Sequence, residues 1–327
     1  MPPPSAPRPW SDHAAKPAPP AGGAGGLGLL AACGADAPPA TPAPADVARR
    51  SPLVSLGGLL LNRKAMGFGG LSGLHIDPDL TLTAVSDLGR WLQARLVLDE
   101  AGQPQGLEAL RSGRLSDGLP IPLPGKLSRD AESLARLPDG TWLVGFERWH
   151  RIRAYDRIDG WGEPVEMLPG LRQAPLNGGL ESLTVLADGR WLAVAEDLRL
   201  GDGGRLRRVW VGRPGDWTVL SYRPTPGYVP TDAAALPDGG AVLTERSFSL
   251  LGGFQGQLKR VPAAALANPA PDAVLEPEVL LDAATLPMEN WEDVASFSWH
   301  GRQFLALMTD DNEFFLQKGL LLLFAFR

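Results

Sequence analysis

Carboxylates recur in pairs along this chain, and the pairs share a frame. In DAESLARLPDGTWLVGFER, Asp130 to Arg148, Glu132 opens one strand-like run and Glu147 closes the next, with Pro138-Asp139-Gly140 between them. Runs rich in β-branched and aromatic residues around a Gly-containing turn form a β-hairpin. Antiparallel pairing brings the two acids to one edge, with Cβ atoms roughly 5 Å apart if they are direct partners. The design returns at Gly179 to Asp197, with Glu181, the turn Asp188-Gly189 and Glu196-Asp197. It returns again at Pro230 to Arg246, with Asp232 displaced by one position, Asp238-Gly239 and Glu245-Arg246. Another copy, Trp291 to Asn312, has Glu292-Asp293, His300-Gly301 and Asp310-Asp311-Asn312. The earliest, Gly69 to Arg90, keeps the turn Asp77-Pro78-Asp79 and the closing Ser86-Asp87, but has Leu71 where Glu132 aligns.

Repeats of this kind, set around one axis, gather Glu132, Glu181, Asp232 and Glu292 with Asp87, Glu147, Glu196, Glu245, Asp310 and Asp311. Like charges about 4 Å apart repel by about 4 kcal/mol at an effective dielectric of 20, so protons, cationic side chains or a metal must offset them. Arg90, Arg148 and Arg246 sit at or just beyond the closing positions. Two arrangements stay open: a Glu–Arg lattice that ties the repeats together, and a hard-cation site. Calcium takes oxygen ligands from carboxylates and amides, and Asn177, Asn290 and Asn312 add amide oxygens to the acids. Zinc is disfavoured, because His13, His75, His150 and His300 are scattered and Cys33 is the lone cysteine.

Calcium beside guanidinium groups makes a clamp for a small anionic ester, above all a phosphomonoester. In that reading Glu132, Glu196, Asp232, Glu245, Glu292, Asp310 and Asp311 hold the metal. Glu147 or Glu181 orients or deprotonates water. Arg148 and Arg246 bind the developing charge, while Asp87, Arg90, Asn177 and Asn312 contact the substrate. The alternative is a non-catalytic binding propeller with a structural acid ring. Other constellations are weaker. Gly70-Leu71-Ser72-Gly73 lacks the spacing of a nucleophile elbow, and Gly201-Asp202-Gly203-Gly204 reads as a polar turn because no helix follows it. Trp142, Trp149 and Trp191 read as packing, with an aromatic shelf beside His150 open for Trp149.

The elements that position these residues follow from the spacing. Turns recur about every 50 to 60 residues, the period of four-stranded propeller blades. Further strand-like runs, Trp91 to Leu98, Val165 to Leu168, Arg208 to Val211, Trp217 to Tyr222, Leu258 to Val261 and Val279 to Leu281, supply outer strands. The expected fold is therefore an all-β propeller, with five blades counted from the repeats and six possible if one has lost its turn signal. Leu53 to Asn62 and Gly319 to Phe326 are left over at the two ends, so the ring is expected to close by pairing them in one blade, removing free edges.

Among 327 residues, 44% are hydrophobic, enough for a large core, and 39 Gly with 32 Pro suit many short strands and turns. Residues 1–50 are Pro/Ala/Gly-rich and cannot build a core; residues 51–327 form the propeller domain. Within the first segment, Leu30-Ala31-Ala32-Cys33 resembles a lipobox, which predicts an exported protein, periplasmic or at the outer membrane, lipidated at Cys33. Against this, basic residues before the apolar run are few, Arg8 and Lys16, and a plain disordered tail is the other reading. No run approaches the roughly 20 apolar residues of a membrane span, so membrane contact is expected only through the lipid. A net charge of −6 without a basic stripe excludes nucleic acid as an expected partner.

Taken as an ordered set, GGLSGL with SDLG, DAESLA with LPDG and FER, NGGLESL with ADG and AED, PTDAAALPDG with TER, and ENWEDV with TDDN resemble the phytase-like family, also called esterase-like activity of phytase. The resemblance covers about Leu53 to Arg327. It implies an exported bacterial β-propeller, often bearing a lipoprotein signal, and hydrolysis of phosphate or other esters. Two departures stand out: Leu88 replaces the Arg of the family's S-D-R-G, with Arg90 two residues on, and Ser133 replaces the Gly of D-A-E-G-L.

Overall fold

Hairpin turns set the frame of the computed structural model, which describes residues 40–43, 51–118, 122–310 and 319–327. At Leu137-Pro138-Asp139-Gly140 the Leu137 amide donates to Thr141 O at 2.8 Å and the Gly140 amide to Leu137 O at 2.9 Å. Gly140 has φ +94°, a left-handed conformation that favours glycine. The Asp139 side chain accepts from the Thr141 amide at 2.9 Å. The same bonds recur at Leu186 to Arg190 and at Leu236 to Gly240.

These hairpins are the inner halves of five sheets. Blade 1 comprises Leu71–Ile76, Thr81–Ser86, Arg90–Leu98 and Pro104–Arg114; blade 2 comprises Ala131–Arg136, Trp142–Phe146, Arg151–Tyr155 and Glu163–Pro164. Blade 3 has Leu180–Val185, Trp191–Leu200, Leu206–Arg213 and Asp216–Tyr222, and takes Val274–Leu275 as a parallel fifth strand. Blade 4 has Val229–Ala235, Ala241–Ser249, Gly253–Val261 and Glu278–Leu281. Blade 5 begins with Trp291–Trp299 and Arg302–Thr309, then inserts Leu320–Phe326 against Leu53–Leu61, so both ends of the domain close the ring in one sheet. Five blades settle the count, and the expected closure is the one observed. The segment Val165 to Leu168 is not a strand; Glu163–Pro164 fills that edge instead. Ala40–Ala43 pairs with the outer edge of Leu53–Leu61, so part of the stretch expected to lack structure belongs to blade 5.

Each innermost strand touches the innermost strands of both neighbours, and the ring closes between Trp291–Trp299 and Leu71–Ile76. Every one of the five also carries an extra residue. The hairpin registers skip from Ser72 to Leu74, Ala131 to Ser133, Leu180 to Ser182, Pro230 to Asp232 and Trp291 to Asp293. Gly73, Glu132, Glu181, Thr231 and Glu292 are the unpaired bulge residues, and such bulges re-aim side chains. The expectation of direct pairing between Glu132 and Glu147 is thereby corrected. So is the alignment of blade 1, where Gly73 rather than Leu71 occupies the position, and of blade 4, where it is Thr231.

Apolar packing lies at the seams. Five buried clusters each join two neighbouring blades: for example Val85, Trp91, Leu134, Trp142 and Phe146 between blades 1 and 2, and Phe297, Phe304, Leu74 and Leu82 between blades 5 and 1. At the closing strands Gly58 lies against Leu322, and a Cβ there would sit 2.6 Å from the Leu321 carbonyl oxygen. Gly58→Ala should therefore destabilise by about 1–3 kcal/mol through overpacking. Gly106→Ala, at a strand position with nothing within 4 Å, should stay within about 0.5 kcal/mol. Urea unfolding compares them directly, and equal midpoints would contradict close pairing of these two strands.

Candidate active site

The pairing of each second strand with its innermost strand ends within two residues of the bulge. Asp87, Glu147, Glu196 and Asp310 each donate a backbone amide to the residue before an innermost strand, at Gly70, Asp130, Gly179 and Asn290, over 2.8 to 3.0 Å. Arg246 takes the corresponding place in blade 4, paired with Val229. One mouth of the channel is therefore built from two sets of five. The closing set is Asp87, Glu147, Glu196, Arg246 and Asp310; the bulge set is Gly73, Glu132, Glu181, Thr231 and Glu292.

Carboxylates crowd most closely on the side of blades 2 and 3. One oxygen each from Asp130, Glu132 and Glu147 lies within 4.8 Å of the others, and the same holds for Glu147, Glu181 and Glu196. Glu147 belongs to both groups. Its Oε1 accepts the amides of Gly178 and Gly179, and neither residue has room for a side chain. A Cβ on Gly178 would meet Asp197 Cβ at 2.7 Å, and one on Gly179 would meet His150 Nδ1 at 2.2 Å. The Asn-Gly-Gly stretch is thus an anchor for Glu147.

Cations offset part of the charge. Arg246 donates to Glu196 Oε1 at 3.1 Å, to Asn290 Oδ1 at 2.8 Å and to Glu292 Oε1. Arg148, left-handed at φ +57°, donates its Nε to Asp130 Oδ2. A non-glycine residue held there is strained by about 1–3 kcal/mol, and such strain concentrates at functional positions. No described cation lies within ion-pair distance of Glu132 or Glu181.

The remaining expected residues fall elsewhere. Glu245 is fully buried and satisfied away from the mouth: Tyr222 donates to it at 2.7 Å and Gln257 at 2.6 Å, with the Thr225 amide beside them. The register of blade 4 puts Arg246 at the axis and turns Glu245 to the seam with blade 3, which corrects its place in the metal set. Asp232 follows the bulge and is aimed at the next blade, accepting the Val294 amide at 2.9 Å. Asp293 does the same to the Gly73 amide. Both are stitches between innermost strands, and Asp232 Oδ1 and Asp293 Oδ2 have no partner among the described residues. Asp87 and Asp310 stand in the closing set. Arg90 lies outside it, over the Phe68 ring at 4.6 Å. Asn177 is exposed on the loop before Gly178. Cys33, Asp311 and Asn312 lie outside the described residues.

Sequence context does not mark Asp130 as a site residue, nor Gly178 and Gly179. Their signals, an Asp two residues before an opening acid and a double glycine before another, are visible only once the register is known.

Burial raises the Glu132 carboxyl well above the usual range, and Asp130, Glu147, Asp87 and Glu292 raise it further. Burial, then Glu132, Glu196, Glu147 and Glu292, do the same to Glu181. Carboxylates of blades 1, 2, 3 and 5 sense one another, as they must if they face one axis. Burial also raises Glu147, against the two glycine amides, and Glu196 and Glu292, against Arg246. For Arg246, burial works against the cation, but Glu292, Glu196 and Glu181 outweigh it and hold the guanidinium above its ordinary value. All these donors are oxygens, and Glu132 and Glu181 lack a countercharge, so the residues fit a hard divalent cation.

A five-bladed β-propeller with a carboxylate-lined mouth is the class defined by this fold and site. The chain belongs to the Phytase-like family, described as esterase-like activity of phytase, whose model matches residues 66–313. Among curated proteins, none matches significantly. Similar solved structures include a catalytically inactive virginiamycin B lyase from Staphylococcus aureus with quinupristin, at 10% identity and TM-score 0.42, covering 87% of this chain and 95% of that one. A gluconolactonase from Xanthomonas campestris is similar at 12% identity and TM-score 0.42, covering 88% and 98%. An aldose sugar dehydrogenase from Streptomyces coelicolor, in its PQQ-bound form, is similar at 14% identity and TM-score 0.39, covering 79% and 94%. Likeness so distant carries neither reaction nor site residues across.

Glu132, Glu181, Asp232 and Asp293 all hold protons more tightly folded than unfolded. Their folded pKa values are raised, so stability is greatest below the ordinary carboxylate range and falls as pH rises through the raised values. Metal-free protein should melt at a lower temperature at pH 8 than at pH 5.5, and Glu132→Gln should flatten the slope. A melting temperature that rises across this window would contradict the electrostatics.

Proposed function

We propose that this chain hydrolyses a small anionic ester, a phosphomonoester first, at the carboxylate mouth, with calcium held by Asp130, Glu132 and Glu147. What carries the reading is the shared position of Glu147 in two carboxylate groups, each within 4.8 Å. The family's description supports ester chemistry. Calcium, when bound, supplies charge neutralisation at the ester oxygens.

The chain's own residues divide the remaining work. Glu147 is fixed by the Gly178 and Gly179 amides, which keeps the acid group aligned. Glu181, made the stronger base by burial and its acidic neighbours, takes a proton from water. The water oxygen bonds to phosphorus as the ester P–O bond breaks, and the leaving oxygen takes a proton from solvent at the open mouth. Arg246 is committed to Glu196, Glu292 and Asn290. Arg148, bonded through Nε to Asp130 alone, is the freer guanidinium for developing charge. Export with a lipid on Cys33, to the periplasm or outer membrane, completes the proposal. No helix of the described residues is long and apolar enough to cross a membrane, so the anchor is the membrane contact. Nucleic acid is not a partner in this reading.

A second reading has a specific observation behind it. Arg246 and Arg148 already pair with Glu196, Glu292 and Asp130, as a structural ring in a non-catalytic binding propeller requires. Calcium titration separates metal from lattice: binding to the native state raises the melting temperature, and no rise at calcium concentrations of about 1 mM and above, roughly −4 kcal/mol of binding, would reject the metal. Turnover of an aryl phosphate and an aryl ester then separates enzyme from binder. Glu181→Gln should cost about 100-fold or more while the protein stays folded. Undiminished turnover would remove Glu181 from the mechanism, and calcium binding without turnover in the parent would favour the binder.

A further inference from the structure

Arg90, Arg114 and Arg129 surround a second cavity, of roughly 150 Å³, at the rim between blades 1 and 2. Arg90 and Arg114 are direct cross-strand partners, a placement that destabilises a sheet when the charges are alike. Arg129 is brought to them by Gly89. That residue has φ +67°, and a Cβ on it would meet the Arg129 Cβ at 2.5 Å, so only glycine lets the third arginine so close. None of the three has an ion-pair partner among the described residues, and the nearby carboxylates are engaged elsewhere: Asp130 with Arg148, Asp117 with Arg153, Asp159 with Arg157. The Nε donors of Arg90 and Arg129 are buried and unbonded. Phe68 offsets part of the Arg90 charge by a cation–π contact, yet burial and Arg114 still hold that guanidinium below its ordinary value.

We propose that this cavity binds a compact dianion, a phosphate group, through the guanidiniums of Arg90, Arg114 and Arg129. Three forked donors without counter-ions match a tetrahedral, doubly charged oxyanion better than a single carboxylate. Leu88 and Leu123 line the rest of the cavity and leave an apolar wall for whatever carries the phosphate. The site does not depend on the acid mouth being catalytic.

Calorimetry of the full chain, stripped of metal on a chelating resin, with inorganic phosphate at constant ionic strength tests it. Saturable binding near one per chain is expected, weakened tenfold or more, about 1.4 kcal/mol, by Arg129→Gln and by Arg114→Gln. Arg205→Gln, an exposed arginine elsewhere, and Glu147→Gln at the mouth should bind as the parent does, which separates this site from the hydrolytic one. Acetate should bind more weakly than phosphate. Glycerol phosphate binding as well as phosphate marks an ester-borne group, and binding of free phosphate alone marks the ion itself; either supports the site. Without phosphate, Arg114→Gln should raise the melting temperature, because it relieves the like-charge pair. Absence of saturable binding up to about 10 mM, or equal weakening by all three arginine variants, would overturn the proposal.

Discussion

One residue too many at the start of each innermost strand is the constraint on which this molecule turns. A bulge residue has no partner across its hairpin, so its side chain is released from the alternation of the sheet and can be re-aimed. Repeated five times around one axis, the insertion brings Glu132, Glu181 and Glu292 toward a common point. Gly73 and Thr231 hold the same place in the other two blades. The seams between blades supply the rigidity: an apolar cluster fills each of them, and Asp232 and Asp293 tie consecutive innermost strands through backbone amides.

Crowded acids need compensation, and the protein distributes it unevenly. Blade 4 places Arg246 where the others place carboxylates, and that one guanidinium answers Glu196 and Glu292. Arg148 answers Asp130. Glu147 is eased by two amides, while Glu132 and Glu181 keep their repulsion, which with burial raises both carboxyls above the usual range. The lattice and the cation site first appeared as rivals. In the folded chain they interleave around one mouth: Arg246 ties Glu196 and Glu292, Arg148 ties Asp130, and Glu132 and Glu181 among these acids have no ion-pair partner among the described residues.

Much of this was legible in the linear text. The Leu-Pro-Asp-Gly and Ala-Asp-Gly turns gave the hairpins, their spacing gave the blades, and the apolar runs at the two ends gave the closure. Phase was not legible. Alternation breaks at an inserted residue, so the sequence frame sets Leu71 in the place of Gly73, and Glu245 in that of Arg246. The hydrogen-bonding roles of Gly178 and Gly179 need a neighbouring blade to be seen. The strand Pro104–Arg114 has no apolar alternation to announce it, and without that strand the pairing of Arg114 with Arg90 has no trace in the sequence.

The central claim is that carboxylates far apart in the chain share one poorly compensated space. Carbon-13 NMR titration of glutamate side-chain carboxyls in the metal-free protein, assigned with single Glu→Gln variants, measures this directly. Glu132 and Glu181 should titrate well above the usual carboxylate range, and Glu132→Gln should lower Glu181, because after burial Glu132 is the foremost charge that raises it. If both titrate as ordinary exposed glutamates and Glu181 does not respond to loss of Glu132, the acids do not meet and the account of the mouth fails.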